Sequence, residues 1–394
     1  MLKNIAKIFS SHVIVKALGL FNIAITLNFL SVQEFGSYSY SLLLLHLISI
    51  IVDPFLSAHL TDIKMFNYKK YNFGTLALTL LLLPLFYVFL NLFHTEITPV
   101  LFLAFSMTFI FSASLKSYLN VRERYYQYGS VDVLRQLSIF LSTLMFFYVV
   151  KKSNIIELLE YNYILSAIVM FLLFIVFIKK KEINFSIKKR TLKKLTTGSR
   201  FLILYLAIVP LISFIDSYFV EKYLSDTDLG LYSFSLKIYM LSMMLIVPIF
   251  TVLNIRQIEV AKQKNYSSFL EQNIKKVSTY SIVFIFFIMI ANWVIVTYVF
   301  PAYKASLVNT MILLCAAFVS YITIPFSFLI ASRKYKYLFV IALIAITSSL
   351  LINYFFIKHY GTLIAALSTL TSQIIINLGA AILSYFLFYK KSNE

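Results

Sequence analysis

Seven ionisable side chains lie in, or at the ends of, long apolar stretches of this 394-residue chain. Four are cationic, and three can take up a proton or a cation: Lys16, Lys116, Arg135 and Lys237 form the first group, and Asp53, Asp216 and His46 the second. A charge at membrane depth costs roughly 2.5–3.5 kcal/mol on insertion scales, so it normally faces a functional cavity. Lysine and arginine attract phosphate oxygens strongly in a low-dielectric cavity. The first group is therefore predicted to bind an anionic substrate, and the second to bind a coupling ion or proton.

The cationic residues also have structural interpretations, which the sequence leaves open. Lys116 lies near the end of an apolar stretch, so its ammonium group can extend to the lipid headgroups. Arg135 follows Asp132 by three residues on one helical face, which favours an internal ion pair. Lys16 and Lys237 can reach an interface if their helices begin later than expected. These two remain the first choice as substrate-binding residues.

The acidic residues and the histidine have alternatives of the same kind. Asp53 and Asp216 both fall near the ends of apolar stretches, where a carboxylate can lie at the lipid interface. His46 falls deeper, but a single helical histidine is commonly a polar packing contact. Ion coupling is the functional interpretation of all three.

Uncharged polar residues also follow helical spacing. In the first apolar stretch Lys16, Gly19 and Thr26 share one face with His12, and Asn22 lies at its edge. The last three stretches carry polar groups that can bind a sugar, although hydrogen bonds between helices are the favoured role: Ser320, Thr323, Ser327, Asn353, Thr369, Gln373 and Asn377.

The elements that position these residues are predicted to be membrane-spanning helices. The chain is 60% hydrophobic, and a helix needs roughly 20 apolar residues to cross the bilayer core. Runs such as 76–90 and 282–299 are almost unbroken, unlike the alternating strands of a barrel. We predict an all-α polytopic protein with about twelve spans, at 12–30, 37–57, 73–93, 97–117, 131–150, 159–178, 201–220, 231–254, 278–299, 306–330, 337–357 and 362–388.

Basic residues divide unequally between the two sets of loops that these spans create. The set that includes both termini contains 27 of the 35 lysines and arginines, and the other set contains five. Short basic loops are retained in the cytoplasm, so both termini are predicted to be cytoplasmic. This topology explains the net charge of +19 better than nucleic-acid binding does.

Other classes of site receive no support from the sequence. The single cysteine, Cys315, allows no internal disulfide and no cysteine-based metal site. The chain has no GxxxxGK[ST] phosphate loop, and all predicted connections are short. We therefore expect no cofactor, no metal and no catalytic residue.

An internal duplication divides the predicted helices into two sets of six. The segment LSVQEFGSYSYSL at 30–42 aligns without gaps on LSDTDLGLYSFSL at 224–236, with an offset of 194 residues and seven identities. Arg124, Tyr126 and Tyr128 recur as Arg333, Tyr335 and Tyr337. The predicted halves are 1–195, which ends in a basic cytoplasmic linker at 179–200, and 196–394. An even number of spans per half makes them parallel repeats about an axis along the membrane normal, as in many transporters.

These motifs resemble those of a known family. The LS-x-x-(E/D)-(F/L)-G-x-YS pattern, its repeat, and FIDSYFVEKYLS at 214–225 resemble the Wzx-type flippases of O-antigen and capsular polysaccharide. That family is the polysaccharide-exporter branch of the multidrug/oligosaccharidyl-lipid/polysaccharide (MOP) superfamily. Lipid II flippases are also similar, but they usually have two more spans.

The resemblance implies a function. A member of this family would move an undecaprenyl-diphosphate-linked oligosaccharide across the bacterial inner membrane by alternating access, coupled to an ion or proton gradient. Membrane lipids, a polysaccharide polymerase and a chain-length regulator are the other expected partners. Two alternatives stay open: a drug/cation antiporter of the same superfamily, and a membrane-embedded polymerase or acyltransferase of the polysaccharide pathway.

Overall fold

A computed structural model gives the chain as two compact units, Met1–Ala207 and Ile208–Glu394. It describes residues 2–48, 71–91, 97–122, 124–151, 154–178, 183–184, 200–263, 266–326 and 328–389. The predicted boundary between residues 195 and 196 lies outside the described residues, and so does Asp53.

The first unit contains six long helices in its described part, and all of them overlap predicted spans. They are α1 (Leu2–Phe29), α2 (Val32–His46), α3 (Phe73–Asn91), α4 (Pro99–Val121), α5 (Tyr125–Met145) and α6 (Ile155–Phe177). A π-helical turn, Phe146–Val150, extends α5, and the two-residue strand Tyr71–Asn72 pairs in parallel with Ile183–Asn184. Helix α5 packs on α1 and α6, and α6 also packs on α4.

The second unit repeats this helix order. Its long helices are α7 (Arg200–Tyr223), α8 (Asp226–Gln263), α9 (Tyr266–Val294), α10 (Leu307–Thr323), α11 (Tyr335–Tyr360) and α12 (Thr362–Ser384). Short 3-10 and π-helical turns and the four-residue turn Phe328–Ala331 complete the described part. Helix α12 packs on α10 and α11, and α10 also packs on α8 and α9.

The helices have the dimensions and surface of a membrane protein. Eight helical segments of the described chain are long and apolar enough to cross a bilayer, and two shorter apolar helices are Val13–Phe29 and Thr79–Asn91. Large apolar side chains project outward from them, as at Leu81 and Phe287, which are 73% and 72% exposed. A water-soluble protein would not present such a surface, so the prediction of an all-helical polytopic membrane protein is confirmed. The count of twelve spans and the side of the termini remain predictions.

The duplicated motif forms the same helix cap in both units. Ser31 precedes α2: its Oγ accepts the Glu34 backbone N–H at 3.3 Å, and its own N–H donates to the Glu34 carboxylate at 2.8 Å. At the start of α8, Ser225 Oγ accepts the Asp228 N–H at 3.2 Å, and the Asp228 carboxylate accepts from Ser225. Such reciprocal bonds form a capping box, which satisfies N–H groups at the helix start. The repeated residues therefore fix the turn between the first two helices of each unit.

The second sequence echo also corresponds to a shared structure, shifted by one residue. Arg124 and Lys334 are the residues that precede α5 and α11, and their backbone angles are nearly the same. Their N–H groups donate to Leu119 O and Leu329 O, each five residues earlier, at 3.0 and 2.8 Å. The structure thus pairs Arg124 with Lys334, whereas the sequence alignment paired it with Arg333.

Candidate ion-coupling and anion-binding sites

The second unit buries a carboxylate among hydrogen-bond donors. Asp216 of α7 has no exposed surface. Its Oδ1 accepts hydrogen bonds from Ser349 Oγ at 3.0 Å, Asn353 Nδ2 at 2.6 Å and Ser368 Oγ at 2.8 Å. Its Oδ2 accepts from Thr369 Oγ1 at 2.5 Å. Asp216 is therefore enclosed by protein and not exposed on the surface of its helix.

Two helices supply all four donors. Ser349 and Asn353 lie one turn apart on α11, so they point the same way. Ser368 lies in the second turn of α12, after a reversal of the chain at Gly361, whose φ of +65° suits a glycine. Ser368 Oγ also lies 2.9 Å from both Asn353 Nδ2 and Ser349 Oγ. The donors form one connected network that holds the carboxylate in place.

No described cationic side chain pairs with Asp216. The buried tyrosines Tyr232 and Tyr239 of α8 interact electrostatically with it, and Tyr232 Oη lies 3.4 Å from Thr369 Oγ1. Asn353 Oδ1 is buried and has no hydrogen-bond partner among the described residues. A buried charge without a counter-ion is strongly unfavourable, so this carboxylate gains stability from a proton or a small cation. Carboxylate, amide and hydroxyl oxygens are ligands that hard cations prefer.

The first unit brings three of the four predicted cationic residues together around one acid. Lys116 Nζ of α4 lies 2.6 Å from Asp132 Oδ2 on α5, and Arg135 Nη2 lies 3.4 Å from Asp132 Oδ1. Lys16 of α1 interacts electrostatically with Asp132, Arg135 and Lys116. Three positive charges thus surround one negative charge, which leaves two positive charges in excess. We call Lys16, Lys116, Asp132 and Arg135 the cationic cluster.

Local packing positions the cluster. Lys116 also lies over the ring of Tyr128, 4.8 Å from its centroid, which favours an ammonium group there. Gly19, one turn after Lys16, faces the Gln136 side chain of α5. The polar face of α1 is thereby directed at α5, and Asn22 and Thr26 of this face are buried. The side chain of His12 lies outside the described residues.

The contacts of the cluster bear on the alternative interpretations of Lys116 and Arg135. The ammonium group of Lys116 is bound by Asp132, which disfavours the alternative that it extends to lipid headgroups. The local pair between Arg135 and Asp132 exists, but Asp132 is shared with Lys116 and so does not neutralise Arg135 alone. The sequence predicts Asp132 only as the ion-pair partner of Arg135. It does not predict the contacts of Asp132 with Lys116 and Lys16, which lie on other helices.

The remaining predicted residues lie elsewhere. Lys237 of α8 is partly buried, and it makes no hydrogen bond or ion pair with any described residue. His46 lies at the end of α2: its Nδ1 is 2.6 Å from Leu42 O, and its ring meets Phe105 edge-on at 5.1 Å. The coupling role of His46 stays a prediction.

Five of the seven uncharged polar residues predicted in the last helices bond to other side chains, whereas Thr323 donates to Val319 O within its own helix and Ser327 lies outside the described residues. Asn377 Nδ2 donates to Ser320 Oγ at 3.0 Å, and Ser320 Oγ donates to Gln373 Oε1 at 3.2 Å. These bonds join α10 to α12, which confirms the predicted interhelical role. Asn353 and Thr369 instead bind Asp216.

A comparison with protein families decides the chain's membership. Residues 1–254 match the family described as polysaccharide biosynthesis protein. The chain belongs to this family. Its resemblance to polysaccharide exporters is thereby confirmed at the level of the family. No curated protein sequence matches it.

Solved structures of MOP-superfamily transporters share the fold of this family member. The lipid II flippase MurJ in an inward closed conformation aligns with a TM-score of 0.73 at 15% identity, over 98% of this chain and 87% of its own. An inward-facing multidrug-resistance MATE transporter aligns with a TM-score of 0.68 at 14% identity, over 98% of both chains. A MOP transporter from Pyrococcus furiosus, described as having reversed binding-pocket polarity, aligns with a TM-score of 0.64 at 15% identity, over 99% of this chain and 95% of its own. At these identities the likeness establishes the MATE-like fold.

Proposed function

We propose that this protein is a flippase of the bacterial inner membrane. It moves an undecaprenyl-diphosphate-linked oligosaccharide repeat unit, of O-antigen or capsule, from the cytoplasmic to the periplasmic leaflet. The two units alternate access to the substrate, and an ion or proton gradient drives the cycle. Membership of the polysaccharide biosynthesis family and the fold shared with a lipid II flippase support this proposal.

The cationic cluster is the observation that carries the proposal. Every undecaprenyl-diphosphate-linked oligosaccharide carries a strongly charged diphosphate, and that group must cross the apolar layer. Lys16, Lys116 and Arg135 provide charge-assisted donors, and Asp132 compensates only one of the three charges. Guanidinium and ammonium groups bind phosphate oxygens in this setting. Lys237, which has no described partner, is a further cation for the same substrate.

Asp216 supplies the coupling site in this proposal. Its carboxylate is buried without a cationic partner, and its donors come from two other helices of the same unit. Uptake or release of one positive charge there changes the electrostatic energy of the bundle interior by several kcal/mol. A gradient of that ion can thus bias the equilibrium between two conformations.

A drug/cation antiporter is the second candidate, because a multidrug MATE transporter shares the fold and Asp216 is a buried acid. Cationic drugs require negative charge in the cavity, whereas the cationic cluster of α1, α4 and α5 is positive in sum. The cluster therefore favours the flippase.

Transport by the purified protein in liposomes tests the choice. We expect a fluorescent lipid-diphosphate oligosaccharide to move between leaflets, and the Arg135→Gln variant to lower the rate about ten- to 150-fold, since one charge-assisted bond contributes roughly 1.5–3 kcal/mol. Lys304→Gln, which removes the same charge from an exposed site, is the matched control. Proton exchange driven by a cationic dye, without movement of the lipid, would instead identify an antiporter.

A further inference from the structure

The duplication places Asn22 on the position of Asp216. The offset of 194 residues that aligns the capping boxes also aligns these two residues, each nine residues before its cap serine, Ser31 or Ser225. Both are buried, on the first helix of their unit. One position thus carries a carboxylate in the second unit and its neutral isostere in the first.

The surroundings of the two residues correspond as well. Tyr38 and Tyr232 are also paired by the offset, and both are buried. Tyr38 interacts with the side chains of Asn22 and Thr26, and Tyr232 interacts electrostatically with Asp216. The second helix of each unit therefore presents a tyrosine to the same position of the first.

The partner helices also match in position and polarity. Asn353 lies 19 residues after Lys334, the cap of α11, and Thr143 lies 19 residues after Arg124, the cap of α5. Thr369 and Asn162 each lie eight residues after the cap of their helix, α12 or α6. Thr143 Oγ1 donates to Asn162 Oδ1 at 3.1 Å. The first unit therefore has polar side chains at the positions that correspond to the Asp216 site, and none of these aligned positions carries a carboxylate.

The site in the first unit is polar but incompletely satisfied. Asn22 Oδ1 and Asn162 Nδ2 are both buried, and neither forms a hydrogen bond with the part of the chain that the structure describes. Buried polar groups of this kind are commonly satisfied by water. An amide oxygen can coordinate a cation but carries no net charge, so a cation at Asn22 would be buried without a compensating negative charge.

The charged neighbours also disfavour a cation at Asn22. Lys16 lies six residues earlier on the same helix, about 9 Å along its axis. The cationic cluster, to which Lys16 belongs, carries two positive charges in excess. The acids Glu34 of α2 and Glu157 and Glu160 of α6 lie in the first two turns of their helices, and the carboxylates of Glu34 and Glu160 accept hydrogen bonds from Ser31 and Thr98. The excess positive charge of the cluster disfavours a cation at the neutral amide of Asn22.

We propose that Asn22, Thr143 and Asn162 form a neutral counterpart of the Asp216 site that binds water and no cation, so that the protein carries a single coupling ion, in its second unit. The residue at positions 22 and 216 decides which unit binds the ion. This inference rests on the proposed coupling role of Asp216 and adds the number of ions.

Counting bound ions in the full-length protein in lipid nanodiscs tests the inference. One arm measures binding of radioactive Na⁺ at saturation, where we expect one ion per chain for the wild type and none for Asp216→Asn if Na⁺ is the coupling ion. The other arm measures the total proton uptake of each variant in Na⁺-free buffer, where we expect the wild type to take up one proton more than Asp216→Asn if the proton is the coupling ion. Asn22→Asp should add a second, weaker site. Asn28→Asp, the same change at an exposed position of α1, should leave the number at one.

The outcomes separate the inference from the proposal that it rests on. The proposal of a neutral counterpart alone would be overturned if the wild type bound two ions and Asp216→Asn kept one of them. It would also be overturned if Asn22→Asp bound only one ion. No ion in the wild type, or an undiminished single ion in Asp216→Asn, would overturn the coupling role of Asp216 and the inference with it. If Asn22→Asp does not fold, the wild type and Asp216→Asn still decide whether the first unit binds an ion.

Discussion

Lys116 Nζ lies 2.6 Å from Asp132 Oδ2, and this contact ties α4 to the helix that follows it. The pair is partly enclosed, since the lysine and aspartate side chains are 25% and 8% exposed. Asp132 also attracts Lys16 and Arg135, so one carboxylate offsets the mutual repulsion of three cations. We infer that the three cations can lie close together only because the carboxylate of Asp132 offsets their repulsion.

Removal of Asp132 should therefore destabilise the first unit. We expect Asp132→Asn to lower the free energy of unfolding by roughly 1–3 kcal/mol, because the cations then repel one another without compensation. Thermal unfolding in detergent measures the loss. Asp226→Asn, at an exposed position, is the matched control and should change stability far less. An unchanged melting temperature in Asp132→Asn would contradict a structural role for the acid.

Loss of Lys16 or Lys237 should abolish export of polysaccharide. Each side chain can neutralise a phosphate in a low-dielectric path, and no other described residue pairs with Lys237. We expect Lys16→Ala and Lys237→Ala to lose surface polysaccharide in cells while their membrane levels stay normal, as detected by immunoblotting. Lys304→Ala should keep the polysaccharide. Normal polysaccharide in both test variants would show that the substrate path lies elsewhere.

Replacement of Asp216 should separate transport from its driving force. Asparagine keeps the shape of the side chain but not its charge, so Asp216→Asn should still allow substrate to equilibrate between leaflets. The transport rate of this variant should not change when a proton or Na⁺ gradient is imposed. The measurement compares initial rates in liposomes with and without each gradient. Glu221→Gln, an exposed acid on the same helix, should respond as the wild type does. A gradient response in Asp216→Asn would exclude Asp216 as the coupling residue.

The sequence predicts most of the helices and only the local part of each site. Hydropathy locates a helix wherever its residues face lipid. It does not locate the end of α8, which continues to Gln263, nine residues beyond the predicted end at 254, because polar residues can extend a helix into water. The pair between Asp132 and Arg135 follows from a spacing of three residues. The donors to Asp216 lie 133 to 153 residues away from it. Their convergence depends on how α11 and α12 pack, and no local pattern encodes that.

The paired capping boxes allow a last prediction, on whether the two units are equivalent in stability. Ser31 and Ser225 each satisfy an N–H group at the start of the second helix of their unit. We expect Ser31→Ala and Ser225→Ala each to cost about 1 kcal/mol, the usual effect of losing such a cap. The two losses should add in the double variant, because the residues share no partner. Ser37→Ala, at an exposed position inside α2, is the control and should have little effect. Calorimetry of the purified protein measures each change. A clearly larger loss for one cap would show that the duplicated turns stabilise their units unequally.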